Sequence, residues 1–180
     1  GHSHGEGEEH QAGEHDEAGG RDPHIWLGRD GARHQAAAVR DVLSRIDPEG
    51  ASVYTDNCDA LFKDIDAVFD SLKKDLAPLA GKPVFVYHPS FGYFLDEFGA
   101  KQMAVEEGGK EPTQKDLVAL ISEAREHGAR VVFVQPQFSR SAAKTVANAI
   151  GGVVLEINAL DADWLENLKR MGEALRSSLR

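Results

Sequence analysis

From Gly81 onward the chain alternates short apolar runs with amphipathic stretches, and that alternation narrows the fold more than any other feature. Val84–Tyr87, Gln102–Val105, Val131–Val134 and Val153–Ile157 each read as a short strand. Helices are predicted after each of them. The first is short, Phe91–Phe98. The second opens at Thr113-Gln-Lys-Asp116, a capping-box pattern with Asp in place of Glu, and runs to about His127. The third is capped by Ser139 and runs to Ile150; the last runs from Asp161 or Ala162 to about Leu179. Strand followed by helix, repeated in this way, requires a parallel sheet, because parallel neighbours need crossovers and the crossover helices must cover the sheet. The expected class is α/β, with a four-stranded parallel-sheet lobe over 81–180 and helices on both faces.

The part before Gly81 is helical in pattern. Residues 29–46 carry Ala36, Ala37, Val39, Val42, Leu43 and Ile46 on one broad apolar face. Asp47-Pro48 restarts the chain, with Asp as N-cap and Pro at the first helical position. Tyr54, Leu61, Ile65, Val68, Leu72, Leu76 and Leu79 then keep a spacing of three to four, which predicts one helix from about Pro48 to Ala77 within a connecting segment 48–80. At its full length that helix would span roughly 45 Å, enough to join two bodies. Ahead of these helices, Asp22-Pro23-His24-Ile25-Trp26 reads as a loop, since a residue before proline avoids the helical region.

Residues 1–21 differ from all that follows. They hold six Gly, five Glu and four of the eight His, namely His2, His4, His10 and His15. Such a segment buries too little apolar surface to offset its ordering entropy and is expected to be disordered. Its composition suits loose, auxiliary recruitment of metal; a purely solvating linker is the plain alternative. The chain opens on Gly-His-Ser-His without an initiator Met or a signal peptide, and reads as part of something longer.

Charge and composition exclude several functions. Twenty Lys and Arg against 30 Asp and Glu give a formal charge of −10, the wrong sign for a nucleic-acid binder and a suitable one for attracting cations. No apolar run is long enough for a direct transmembrane segment. A single cysteine, Cys58, rules out an internal disulfide and a thiolate metal cluster.

In open parallel sheets ligands bind beyond the carboxyl ends of the strands. The residues expected on that rim are His88, the pair Glu106 and Glu107, Gln135 and Asn158. His24 joins them only if the front of the chain folds back over the rim. Neutral imidazoles with one or two oxygens would suit Zn²⁺. Dinucleotide and phosphate-loop glycine motifs, the serine nucleophile elbow and His-Glu-x-x-His are all missing. His34 and His127 read as solvated or capping residues, Cys58 as packing, and Trp26, Trp164, Tyr93, Phe94 and Phe98 as packing or core.

The order of the His-rich tract, Asp22-Pro23-His24-Ile25-Trp26, the long helix, Tyr87-His88-Pro89-Ser90-Phe91-Gly92-Tyr93-Phe94 and Val132-Phe133-Val134-Gln135-Pro136-Gln137-Phe138-Ser139 resembles the zinc-binding solute-binding proteins of ABC transporters, the ZnuA/TroA-like family. The resemblance covers essentially the whole chain. It implies two α/β lobes joined by one long helix, with metal held between them. It implies capture of Zn²⁺, less readily Mn²⁺, outside the cytoplasmic membrane, in the periplasm or as an extracellular membrane-associated protein, and delivery to an ABC transporter membrane permease. His24 and His88 take over the ligand positions of the two motifs, and His at the second position favours zinc over manganese. On the same resemblance residues 22–47 are the remnant of a first lobe, and that lobe, or a partner chain, is missing. Without it the apolar face of 29–46 would be uncovered, which favours dimers or a partner. The family's Asp-Pro after the last strand is Asn158-Ala159 here, so Asn158 is at best a weak metal ligand through its neutral carbonyl oxygen.

The expected function is therefore a zinc carrier. A metal-independent interaction fragment is one alternative. The other is a metal-assisted hydrolase with Glu106 or Glu107 as base. Because imidazole binds metal only when neutral, a carrier of this kind loses zinc as the pH falls.

Overall fold

The computed structural model describes residues 21–106 and 108–179. A 3-10 turn, Ile25–Leu27, leads into helix α1 (Arg29–Ile46). A second 3-10 turn, Pro48–Gly50, precedes the long helix α2 (Ala51–Leu76), and a third, Ala77–Leu79, ends it. Then follow β1 (Pro83–Val86), α3 (Gly92–Asp96), β2 (Lys101–Ala104), α4 (Gln114–Glu126), β3 (Val131–Val134), α5 (Arg140–Ala149), β4 (Val153–Glu156) and α6 (Trp164–Ser177).

All four strands pair in parallel, in the order β2-β1-β3-β4. The central strands β1 and β3 are wholly apolar and almost fully buried, as strands covered on both faces must be, whereas the edge strands β2 and β4 carry Lys101, Gln102 and Glu156 and are partly exposed. Side chains alternate between two cores. Val84, Val86, Val131 and Phe133 face α2, α3 and α6, while Phe85, Tyr87, Val132 and Val134 face α4 and α5. The α/β class with helices on both faces of a parallel sheet is as the alternation predicted.

Several boundaries differ, each for a local reason. The predicted single helix from Pro48 is a turn followed by α2: Gly50 N–H donates to Asp47 Oδ1 at 3.3 Å, and the Tyr54 hydroxyl donates to Asp47 Oδ2 at 2.6 Å. Asp47 thus caps a tight turn before the helix proper begins. Helix α6 starts at Trp164, because Asp161 Oδ1 accepts from Asp163 N–H at 3.0 Å and holds a bend there. Around α4 the capping box is present: Thr113 N–H and Asp116 N–H bond reciprocally to the Asp116 and Thr113 side chains. The Thr113 hydroxyl and amide keep the Asp116 carboxyl below its ordinary value. Residues 1–20, which include most of the predicted disordered tract with His2, His4, His10 and His15, lie outside the described residues, as does Glu107.

The front of the chain is fastened to the lobe by charge and by packing. Glu97 Oε1 accepts from Arg29 N–H at 3.0 Å, where α1 begins and its amides have no partner within the helix. The Arg29 guanidinium donates to Asp70 at 2.7 Å and lies 5.5 Å from the centroid of the Phe69 ring. Burial opposes its charge, but the Asp70 hydrogen bond and the charges of Asp70, Glu97 and Asp66 hold it above its ordinary value. Arg33 pairs with Asp66 at 2.6 Å and covers the Phe62 ring. On the opposite side of α1, Val39, Val42 and Ile46 are exposed, at 58%, 46% and 74%.

Candidate metal site

The sheet order reverses between β1 and β3, since the chain moves from β1 outward to β2 and then returns across β1 to β3 and β4. Such a reversal leaves a crevice at the carboxyl ends of the two central strands. His88 follows one of them and Gln135 the other.

His24 reaches the same place from the front of the chain. The Trp26 indole N–H donates to Ala159 O at 2.9 Å, tying the first 3-10 turn to the loop after β4. Leu27 is fully buried beneath it, and the Tyr93 hydroxyl contacts Asp22 O at 3.4 Å. The fold-back on which the pairing depended is therefore present. The His24 and His88 rings stand with centroids 5.4 Å apart and planes at 82°.

Each imidazole has one nitrogen held by a carboxylate. His24 Nδ1 lies 2.6 Å from Asp22 Oδ1, and that oxygen also accepts from His24 N–H at 2.9 Å. His88 Nδ1 lies 2.9 Å from Glu106 Oε1. An ionised carboxylate only accepts, so it selects the tautomer with the proton on Nδ1 and leaves the lone pair on Nε2. The same pairing recurs at metal-bound histidines in general, where it fixes the ring and raises its basicity.

Glu106 is 5% exposed, and its Oε1 also accepts from Gly109 N–H at 3.1 Å. Gly108 and Gly109 have φ of 60° and 78°, a left-handed turn that glycine enters without penalty, and it brings the amide back onto the carboxylate. Through Oε1 Glu106 thus holds the His88 ring from behind and the glycine turn beside it. The charges of Glu111 and Glu106 add to burial, the larger cause, in pushing the Tyr87 phenol up. Phe138 stacks on the His88 ring, with centroids 4.9 Å apart and planes at 25°.

The two rim carboxamides are engaged within the chain. Asn158 Oδ1 accepts from Leu160 N–H at 3.0 Å and from Gln137 Nε2 at 3.2 Å, which occupies both lone pairs of the oxygen. Gln135 is buried and bonds to His88 and Ser90. Gln102 Oε1, which the sequence reading passed over, accepts from Phe91 N–H at 2.7 Å and steadies the turn after His88. Asp22 as an orienting group was also passed over; an Asp two residues before a His, preceding a proline, is a local turn pattern that signals it. His34 and His127 are exposed on α1 and at the end of α4, away from this cluster. Among the described residues no group of three or more His, Cys, Asp and Glu converges on one point. The described residues therefore offer two nitrogen donors where a tetrahedral zinc ion takes four ligands.

The family described as zinc-uptake complex component A, periplasmic (ZnuA), matches residues 1–178. The high-affinity zinc uptake system protein ZnuA of Paracoccus denitrificans is 32% identical over 172 residues, covering 89% of this chain and 52% of that protein. The protein of the same description from Bacillus subtilis is 28% identical over 171 residues, covering 88% of this chain and 53% of that one. The chain thus spans about half the length of these curated relatives. A crystal structure of ZnuA superimposes with a TM-score of 0.85 at 31% identity, over 88% of this chain and 62% of that one. A zinc-bound ZnuA deletion mutant gives 0.82 at 32% identity, over 87% and 60%. By family match and by fold, with two carboxylate-held imidazoles at the sheet's reversal point, this chain belongs to the ZnuA family of periplasmic zinc-uptake components.

Proposed function

We propose that the chain is the zinc-holding rear portion of an extracytoplasmic carrier that delivers Zn²⁺ to an ABC-type membrane permease. The observation that carries this reading is the pair His24 and His88, whose rings lie 5.4 Å apart with each Nδ1 on a carboxylate. Two Nε2 lone pairs on rings this close together suit Zn²⁺, for which imidazole is a preferred ligand, better than Mn²⁺, which favours oxygen. Asn158 takes no part in this proposal, since its oxygen already accepts two hydrogen bonds. Residues 22–47 are proposed to belong with a front lobe, 48–80 to connect, and 81–180 to form the rear lobe. The exposed face of α1 and the coverage of about half of each relative support that division. No helix among the described residues is long and apolar enough to cross a membrane, and the permease is proposed as a separate partner.

Calorimetry at neutral pH tests the reading on the intact chain, a chain lacking residues 1–21, and a His24→Ala/His88→Ala variant. Zinc binding should survive the truncation and vanish in the double variant. Binding that follows residues 1–21 and ignores the double substitution would overturn the assignment. Glu106→Ala should reduce zinc affinity by roughly 10–100-fold, the usual cost of losing a carboxylate behind a metal-bound histidine. An unchanged affinity in that variant would mean that the His88 ring needs no orienting partner.

A further inference from the structure

The backbone rungs between β1 and β3 run out just before His88. Tyr87 N–H donates to Phe133 O at 2.7 Å, and Tyr87 O accepts from Glu106 N–H at 3.0 Å, so both groups of that residue are still paired by the sheet. For His88 the neighbouring strand has no backbone rung among the described residues. A side chain supplies one. His88 N–H donates to Gln135 Oε1 at 3.3 Å, and Gln135 Nε2 donates back to His88 O at 2.8 Å. The second hydrogen of that amide goes to Ser90 Oγ at 2.8 Å. Gln135 and Ser90 are each 2% exposed, so no solvent competes for these groups.

The orientation of the carboxamide follows from its partners: the His88 N–H only donates and so faces Oε1, and the His88 carbonyl only accepts and so faces Nε2. The His88 carbonyl also accepts from Ser90 N–H at 2.8 Å, so the amide shares that group with the local turn, holds the His88 N–H, and bridges the two peptide groups that set the direction of the Cα–Cβ bond. Glu106 and Phe138 act on the ring; Gln135 acts on the chain that carries it.

We infer that Gln135 is a positioning residue of the metal site, its buried carboxamide replacing the missing ladder rung at His88 and so setting the direction in which the imidazole presents Nε2. The affinity part of this inference rests on the zinc reading above. Its structural part does not.

The experiment compares Gln135→Met, which keeps length and loses all three hydrogen bonds, with Ser90→Ala, which removes one of the amide's partners and leaves both bonds to His88. Zinc affinity should fall roughly 10–100-fold in Gln135→Met, as it does when groups that orient metal ligands are lost, and stay near wild type in Ser90→Ala. The nitrogen-15 spectrum of the metal-free histidine rings supplies a second reading. Wild type and Ser90→Ala should show one set of His88 signals with the proton on Nδ1, and Gln135→Met several sets or a shifted tautomer. A single unchanged set in Gln135→Met, or equal losses in both variants, would overturn the inference. If the wild type itself binds no zinc, the carrier reading falls, while the metal-free spectra still decide the role of Gln135. Should Gln135→Met fail to fold, Gln135→Glu serves in its place, because it keeps an acceptor for His88 N–H and loses the donor to His88 O.

Discussion

Replacing Gly31 by alanine is expected to lower zinc affinity by roughly tenfold or more and to destabilise the fold by about 2–3 kcal/mol. Helix propensity alone points the other way, since alanine is favoured over glycine in a helix interior by about 1 kcal/mol. The contact decides the sign. A Cβ on Gly31 would lie 2.0 Å from Ile25 O and 2.8 Å from Ile25 C, and both are backbone atoms. To reach even the 3.0 Å lower limit of real contacts, the carbonyl must retreat by about 1 Å. Ile25 O also accepts from Gly28 N–H at 3.2 Å, so its retreat opens the turn whose N-cap is His24. Calorimetry and urea unfolding measure the two effects. A variant that binds zinc like wild type and unfolds at higher urea would show that α1 does not set the position of His24.

Phe69→Ala should cause the largest loss of stability, about 3–5 kcal/mol, the usual range for truncating a buried phenylalanine. Phe69 is fully buried on α2, with its ring centroid 6.1 Å from that of Phe94 and 6.4 Å from that of Phe98. Its other side lies under Arg29. The substitution removes the shared contact of the long helix, α3 and the start of α1 at once. With total stabilities commonly of about 5–15 kcal/mol, the melting temperature should fall by on the order of 10 °C. A shift of only a degree or two in a calorimetric scan would mean that the long helix is held to the lobe by its ion pairs instead.

Much of this was legible in the sequence because the signals were local. Short apolar runs placed the four strands, and the caps at Thr113 and Ser139 placed two helices. The rule that ligands bind beyond strand ends put His88 on one rim with Glu106, Glu107, Gln135 and Asn158. What was not legible depends on pairs far apart in the chain. That Glu106 is buried behind His88 follows from β1 and β2 lying side by side in register, with Val86 opposite Ala104. That Gln135 holds a backbone rather than facing a ligand follows from β1 diverging from β3 beyond Tyr87. The docking of His24 needed the Trp26–Ala159 hydrogen bond, which spans 133 residues. No periodicity carries that information.

The carboxylates behind the two imidazoles also bear on the charge of the ion that the proposed carrier would hold. Asp22 and Glu106 stand 2.6 and 2.9 Å behind the two rings. In the proposed carrier a divalent cation at the rings would be drawn by both acidic side chains, and Glu106, 5% exposed, would be little screened by water. The acidic pair behind the rings would thus favour a divalent over a monovalent ion in that reading.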